Sequence, residues 1–172
     1  ANAYIYFVKL LIMNPSFEIF KKKVGQPISF RFFLLLQLPA AFFIGLRLKS
    51  LSENACVVKL RYSWFSKNPF RSLYFAAQAM AAEMSTGLLA FGQIYQRTPK
   101  ISMLVVRMEV NFIKKGTGIV LFTCEDGQAI QQCIDEAIQT KQAQTLQCTS
   151  VGINEAGETV AEFKFTWSFK AK

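Results

Sequence analysis

The chain has 172 residues, of which 52% are hydrophobic and 18% are charged. This length suits a single domain, and the composition supplies enough apolar material for a core, which argues against intrinsic disorder. Histidine is absent, so Ser-His-Asp catalysis, Cys-His catalysis and histidine-ligated metal sites are excluded. The net charge of +9 would suit nucleic acid, anionic lipid or a phosphorylated ligand, but the basic residues are scattered apart from two runs at 21–23 and 114–115.

The N-terminal region is apolar and is expected to be helical. Helical spacing of its apolar residues predicts an amphipathic helix over residues 3–23, interrupted at Asn14-Pro15, and a shorter helix over 28–38 that stops at Pro39. The longest apolar run, between Arg31 and Arg47, has 15 residues and is broken by a glutamine and a proline. We therefore expect no transmembrane segment, and no signal peptide is evident.

Cysteine usage indicates a reducing compartment. None of the four cysteines stands in CxxC spacing: Cys56, Cys124, Cys133 and Cys148. We expect reduced, mostly buried thiols in a cytoplasmic protein, with no metal site and no bound cofactor.

The middle of the chain changes from strand-like to helical patterning. Near-alternation of apolar and polar residues from Phe42 predicts a strand, and Cys56–Phe65 alternates again, so the two should pair antiparallel across a turn at 52–54. Asn68-Pro69 is typical of a helix N-terminus. Residues 71–91 are apolar on nearly every side, which predicts a helix with neighbours on most of its surface.

Four further strands complete the pattern. They are predicted over residues 101–113, 118–124, 143–153 and 159–169. The polar stretch 128–140 is expected to be an amphipathic helix or a loop. The order predicts an α+β fold in which a long antiparallel sheet wraps around the central buried helix. We expect one domain, with extra N-terminal helices over 1–39 and the core over 40–172.

Glu83 is the most informative residue, because it stands in the middle of the apolar helix. A buried carboxylate is costly unless it is paired or functional, and burial raises its pKa toward the range of a general base. The alternative is that the helix has one wet stripe, a line of solvent-exposed residues, which contains Gln78, Glu83 and Ser85. Ser72 has no histidine to activate it as a nucleophile, whereas the free N–H groups of the helix N-terminus could stabilise an oxyanion.

Several segments resemble the hotdog-fold thioesterases of the phenylacetate-pathway type. Their central motif is Asn-x-x-Gly-x-x-His-Gly-Gly, followed by a helical acid nine positions after the histidine; here Asn68, Tyr74 and Glu83 stand at the asparagine, histidine and acid positions. Met108–Gly118 and Gly157–Phe163 are similar to later strands of that family. The LPAAFFIG and NPF segments are most similar to an uncharacterised thioesterase-like branch, and the resemblance covers about residues 40–170.

The resemblance implies a homodimer, of a kind that often pairs into a tetramer, with an acyl-CoA site between subunits. Coenzyme A would be part of the substrate. Glu83 would act as base or nucleophile, the Phe75 N–H as oxyanion donor, and Asn68 would orient water or the thioester. The motif departs from the family where Phe75-Ala76 replaces the glycine pair and Arg71 the preceding glycine. Bulky Phe75 would fill space that glycine leaves open to the thioester.

Candidate substrate-binding residues surround this motif. The basic ones could meet the coenzyme A phosphates and the aromatic ones could line an acyl channel, or they could be ordinary strand ends and core residues. The substrate-binding set is Tyr74, Arg71, Gln78, Phe112, Lys114 and Lys115, with Lys100 and Arg107 as further cations.

Three functions compete at this point. The first is hydrolysis of acyl-CoA or acyl-carrier-protein thioesters with Glu83 as the acid. The second is binding of a fatty acyl chain or lipid without catalysis, which the high Phe content and the missing glycines favour. The third, suggested by the +9 charge and the lysine triplet, is a peripheral membrane or nucleic-acid module; we expect no nucleic-acid partner.

Overall fold

Three helices precede the sheet in the computed structural model, which describes residue 14 and residues 16–172. They are α1 (Phe17–Gly25), α2 (Pro27–Gln37) and α3 (Pro39–Phe43). The latter two begin with proline, whose fixed φ suits the first helical turn. α2 confirms the helix predicted over 28–38, whereas residues 3–13 of the predicted first helix lie outside the described residues.

The first two strands are shorter than the sequence predicts. β1 spans Arg47–Leu51 and pairs antiparallel with β2, Cys56–Arg61. The predicted strand start at Phe42 is wrong, because residues 39–43 form the helical turn α3 and Gly45, with φ of +82°, then redirects the chain. The antiparallel pairing itself is confirmed.

The central helix α4 spans Phe75–Ile94 and begins later than predicted. Asn68-Pro69 is not its N-terminus. Arg71 has a φ of +58°, which belongs to the left-handed region and cannot continue a right-handed helix. Tyr74 is the N-cap residue, with an extended conformation.

The rest of the chain follows the predicted order closely. β3 (Ile101–Phe112) and β4 (Ile119–Cys124) precede helix α5 (Gly127–Thr140), which settles the helix-or-loop alternative in favour of the helix. β5 (Gln144–Asn154) and β6 (Thr159–Ala171) end the fold. The six strands form one antiparallel sheet in the order β1-β2-β4-β5-β6-β3, with β1 and β3 at its edges.

The sheet wraps around α4, as the sequence predicts. This helix contacts β2, β4, β5 and β6 and also α5. Two buried hydrogen bonds tie it to the sheet: Trp167 donates its indole N–H to Thr86 at 3.0 Å, and the hydroxyls of Ser85 and Ser150 lie 2.8 Å apart. α1 packs closely on the C-terminal part of α4, where a Cβ on Gly92 would lie 2.5 Å from the nearest Phe17 ring atom.

All four cysteines are buried and free, as predicted. Burial raises the pKa of Cys124 to about 12 and raises the pKa values of Cys56 and Cys148 further. These thiols are therefore protonated and unreactive at neutral pH. Of the helices within the described residues, none combines the length and apolarity required to cross a bilayer.

Candidate active site at the start of the central helix

A cavity of about 430 Å³ opens beside the first turn of α4. Its walls come from residues 68–70 and 72–75, from Gln78, and from residues 112–116 at the end of β3. Seven of the predicted site residues therefore share one cavity, although they belong to segments far apart in sequence. They are Asn68, Tyr74, Phe75, Gln78, Phe112, Lys114 and Lys115.

Asn68 organises the loop that forms one wall of the cavity. Its side-chain oxygen accepts hydrogen bonds from the backbone N–H groups of Phe70 at 2.9 Å and Ser72 at 3.2 Å. Its amide nitrogen donates to the Ser72 hydroxyl at 3.0 Å. The loop is held to the core because Leu73 donates its N–H to the carbonyl of Gly116 at 2.8 Å. Asn68 thus shapes the cavity wall, and its role in orienting water or the thioester stays a prediction.

The amide groups of the first turn of α4 lie at the cavity. Phe75 is the first helical residue, and the N–H groups of a first turn have no acceptor within the helix. Tyr74 provides no side-chain cap for them. These donors and the positive end of the helix dipole suit a developing oxyanion. The rings of Tyr74 and Phe75 meet edge to face at 4.8 Å and give the cavity an apolar rim.

Gln78 presents an unsatisfied polar atom in this region. The side chain is buried, and its amide nitrogen donates to the carbonyl of Leu73 at 3.3 Å. Its Oε1 atom is buried and has no hydrogen-bond partner within the part of the chain that the structure describes. A buried acceptor without a partner is costly, so a ligand or water that donates to Oε1 would be favoured here.

The two lysines at the end of β3 differ in their partners. Lys114 forms an ion pair with Glu158 across the β3–β6 edge, and its hydrogen bond to that carboxylate lowers the pKa of Glu158. Lys115 forms no ion pair with any residue that the structure describes. Lys115 is therefore the better placed of the two for an anionic ligand. Arg107 pairs with Glu109, and neither Arg107 nor Lys100 lines the cavity.

Glu83 lies on α4 but not on the wall of this cavity. Its carboxylate makes no hydrogen bond and no ion pair with residue 14 or residues 16–172, and desolvation by burial raises its pKa. The half-buried stripe around it is Ala76, Ala79, Met80 and Gly87. The alternative of a wet stripe is wrong, because Gln78 and Ser85 are buried.

Glu83 is held beside a glycine. A Cβ on Gly87 would lie 3.2 Å from its Oε1 atom and 3.5 Å from the Trp167 ring. The missing side chain therefore leaves room for the carboxylate next to an aromatic surface. Glu83 stands eight positions after Phe75, which corresponds to about 12 Å along the helix axis.

The remaining residues of the region show what the sequence pattern does not reveal. Arg71 is exposed in the Asn68 loop and is not part of the cavity wall. Phe70 and Ile113 line the cavity and are 75% and 62% exposed, yet neither is among the predicted site residues. Only the folded loop brings them to the opening, although large apolar residues beside Asn68 and beside the lysine pair were a usable signal.

Comparisons with known proteins agree with this architecture. The family model of DUF4442, a domain of unknown function, matches residues 29–169. A Pseudomonas aeruginosa protein of unknown function, described as a probable thioesterase, superposes with a TM-score of 0.71 at 20% identity, over 85% of this chain and 97% of that one. No functionally curated protein matches the chain in sequence.

Two further solved structures extend the match. A Chlorobaculum tepidum protein of unknown function has a TM-score of 0.71 at 14% identity, over 85% of this chain and 97% of its own. The Escherichia coli PaaI protein of the phenylacetic acid degradation operon has a TM-score of 0.60 at 14% identity, over 89% and 96%. These likenesses confirm the hotdog fold that the sequence predicts.

Proposed function

The chain belongs to the DUF4442 family, and we propose that it hydrolyses thioesters of the acyl-CoA or acyl-carrier-protein class. The observation that carries the proposal is Glu83, a desolvated carboxylate with a raised pKa and no partner among the described residues. The free-energy cost of burying an unpaired carboxylate is typical of a functional acid rather than of a structural one. Thioesterase-like neighbours of the same fold support the reaction class.

The chemistry needs only groups that this chain has. Glu83 takes a proton from water while the water oxygen attacks the thioester carbonyl carbon. The carbonyl oxygen becomes an oxyanion and accepts a hydrogen bond from the Phe75 N–H. The C–S bond then breaks, and Glu83 returns the proton to the departing thiolate. The products are a carboxylic acid and a free thiol.

The distance between the two catalytic groups argues for a site shared by two subunits. About 12 Å along one helix is too far for the Phe75 N–H and the Glu83 carboxylate to act on a single carbonyl group. A second copy whose α4 lies antiparallel to the first would place its own Glu83 near Phe75. The half-buried stripe around Glu83 consists mostly of small residues, which allows a second helix to approach closely.

The edge strand β3 supports the same dimer. It is 12 residues long and exposes Leu104 by 65% and Val106 by 52%. A long apolar edge with free backbone groups is a site of strand pairing. We therefore expect β3 to pair with its copy in a homodimer, which could assemble further into a tetramer.

Substrate recognition would use the cavity beside α4. Lys115 is free to pair with a coenzyme A phosphate, and Gln78 Oε1 can accept a hydrogen bond from an amide of the pantetheine arm. Tyr74, Phe75 and Phe112 would contact the acyl chain. The four free cysteines favour the cytoplasm as the compartment.

The direct test is a panel of acyl-CoA thioesters of increasing chain length, with detection of the released thiol. We expect turnover by the wild type and a loss of at least ~100-fold in Glu83→Gln, which is the usual contribution of a general base. Equal turnover in both proteins would remove Glu83 from the mechanism.

A second function is favoured by one observation, the replacement of the family's glycine pair by Phe75-Ala76 at the cavity rim. A bulky rim would suit retention of a fatty acyl chain without hydrolysis. Native mass spectrometry of the purified protein distinguishes the two functions. A co-purified lipid with no turnover would support the binding protein, whereas an empty protein with turnover would support the hydrolase.

A further inference from the structure

Helix α2 exposes an apolar face that nothing in the described chain covers. Phe30 and Leu34 point into the core, and the opposite side carries Ile28, Phe32 and Leu36, which are 75%, 61% and 73% exposed. Contiguous exposed apolar surface on this scale marks an interaction site.

Ring contacts connect Arg31 of the same helix to the loop after β2. The Arg31 guanidinium lies 3.6 Å from the centroid of Phe42, and the adjacent Phe43 ring lies 6.0 Å from that of Phe65. Trp64 packs on Phe65 at 5.0 Å. We group the exposed apolar residues of α2 with those of the linked loop as one candidate surface, defined here as the aromatic face: Ile28, Phe32, Leu36, Phe43, Trp64 and Phe65.

The positive charge of the chain is concentrated in the half of the sequence that contains the aromatic face. Residues 1–82 contain eleven Lys or Arg and two Asp or Glu, whereas residues 83–172 contain nine of each. The whole net charge of +9 therefore arises in the first half. Lys67 lies 5.8 Å from the Trp64 ring, and Lys22 and Lys23 are exposed at the end of α1. No acidic residue stands between Glu18 and Glu53.

This combination specifies the chemistry of the partner. Aliphatic and aromatic side chains accompanied by Arg31 and Lys67, in a strongly basic half of the sequence, suit a helix that lies in the interface of a bilayer with anionic headgroups. Nucleic acid would not bury the isoleucine and leucine side chains. A second copy would bring two strongly positive surfaces together, which electrostatic repulsion opposes.

We propose that the aromatic face docks this protein on the surface of anionic lipid membranes, with α2 lying in the headgroup region. The cations attract the protein to the surface, and Phe32, Leu36 and Trp64 enter the boundary between headgroups and acyl chains. The inference goes beyond thioester hydrolysis and does not depend on it.

The experiment uses the whole protein and two kinds of vesicle. Co-sedimentation is measured with phosphatidylcholine vesicles and with vesicles containing 30% phosphatidylglycerol, at low and at high salt. We expect at least tenfold stronger binding to the anionic vesicles. This binding should weaken at high salt, because salt screens the electrostatic attraction. Equal binding to both vesicles, or none to either, would overturn the proposal.

Two sets of variants separate the apolar and the electrostatic contributions. Phe32→Ser with Leu36→Ser should reduce vesicle binding at least tenfold, as loss of two buried apolar side chains implies. Lys22→Gln with Lys23→Gln should reduce it several-fold. The matched control, Lys141→Gln with Lys170→Gln, removes the same charge from exposed positions in the neutral half and should leave binding unchanged.

Trp64 provides a direct probe. It is 72% exposed, whereas the other tryptophan, Trp167, is 4% exposed. A blue shift of the emission on adding anionic vesicles would therefore report entry of Trp64 into the bilayer. Light scattering of the Phe32→Ser, Leu36→Ser protein decides the remaining alternative. A smaller oligomer than the wild type, with unchanged vesicle binding, would make the face a contact between copies and refute membrane docking.

Discussion

The indole nitrogen of Trp167 lies 3.0 Å from the hydroxyl of Thr86, one turn along α4 from the candidate catalytic acid. That hydroxyl in turn donates to the carbonyl oxygen of Glu83 at 3.0 Å. The indole ring also lies beside Gly87, against which the Glu83 carboxylate rests. The strand β6 therefore fixes the part of the helix that carries Glu83.

Replacement of Thr86 by valine tests this anchor. The two side chains have similar shapes, so Thr86→Val removes the acceptor and leaves the buried Trp167 N–H without a partner. We expect the free energy of unfolding to fall by about 1–3 kcal/mol in urea titrations. Trp167→Phe removes the donor. The loss of unfolding free energy in the double variant should be smaller than the sum of the losses in the two single variants. Additive losses would show that the hydrogen bond contributes nothing.

Glu83→Gln should separate stability from activity. The native pKa of Glu83 lies above its ordinary value of about 4.5, so ionisation of this group opposes folding. Below pH 4.5 Glu83 is protonated in both the folded and the unfolded chain, so the wild type keeps its full stability. This stability is lost as the pH rises through the raised native pKa. We expect the variant and the wild type to unfold alike near pH 4 and the variant to be the more stable at pH 8. A wild type that is more stable at pH 8 would contradict the burial of an unpaired carboxylate.

The sequence could predict α4 because its alanines, methionines and leucines leave no polar face. It could not predict where the helix begins. Asn68 accepts the N–H of Phe70 in the loop, much as an N-cap asparagine accepts the N–H of the first turn, so the local pattern is the same in both cases. Backbone hydrogen bonds to other segments decide between the loop and the helix start: Leu73 donates to the carbonyl of Gly116, and Tyr74 donates to that of Ser66.

The site was predictable to a similar degree. The resemblance predicts Asn68, Phe75 and Lys115 as site residues, and all three line one cavity. Strand and helix patterns alone give no distances between them. The wet-stripe alternative for Glu83 failed because the hydroxyl of Ser85 meets Ser150, 65 residues later in the chain. A polar residue that finds its partner through tertiary structure looks like a surface residue in the sequence.

Gly87→Ala should impair catalysis without a loss of stability. Alanine is favoured over glycine inside a helix by about 1 kcal/mol, so the free energy of unfolding should rise or stay unchanged. The added Cβ, 3.2 Å from Glu83 Oε1, displaces the flexible carboxylate. We expect about a tenfold fall in kcat, since small displacements of reacting groups are costly. Gly25→Ala is the matched control, because its Cβ would meet nothing within 4 Å and activity should not change.

The two lysines at the cavity should differ in their effect on substrate binding. Lys115→Gln removes the unpaired cation and should raise KM for acyl-CoA about tenfold, whereas Lys114→Gln, which breaks the exposed pair with Glu158, should have a smaller effect. The thioester of N-acetylcysteamine has no phosphate groups and serves as the control substrate. An equal rise in KM for that substrate would mean that Lys115 acts through the structure of the cavity rather than through phosphate.

The oxyanion donor can be tested without disturbing the helix. Proline is tolerated at the first helical position, where Phe75 lies, and the preceding Tyr74 already has the extended conformation that proline requires, with ψ of 137°. Phe75→Pro therefore deletes one N–H, and Phe75→Ala removes the same ring but keeps the N–H. We expect kcat to fall ~100-fold more in the proline variant. Equal kcat values in the two variants would exclude this amide as the donor.

Mixing two inactive variants tests whether the site combines both subunits. Phe75→Pro and Glu83→Gln homodimers should each be inactive. In a mixed dimer, one site would unite the intact Phe75 amide of one chain with the intact Glu83 of the other, so co-refolding should restore activity to about a quarter of the wild type. If both groups acted from one chain, every site in the mixture would carry a defect and no activity would return. The result depends on the 12 Å spacing along α4, because that distance keeps the two groups of a single chain apart.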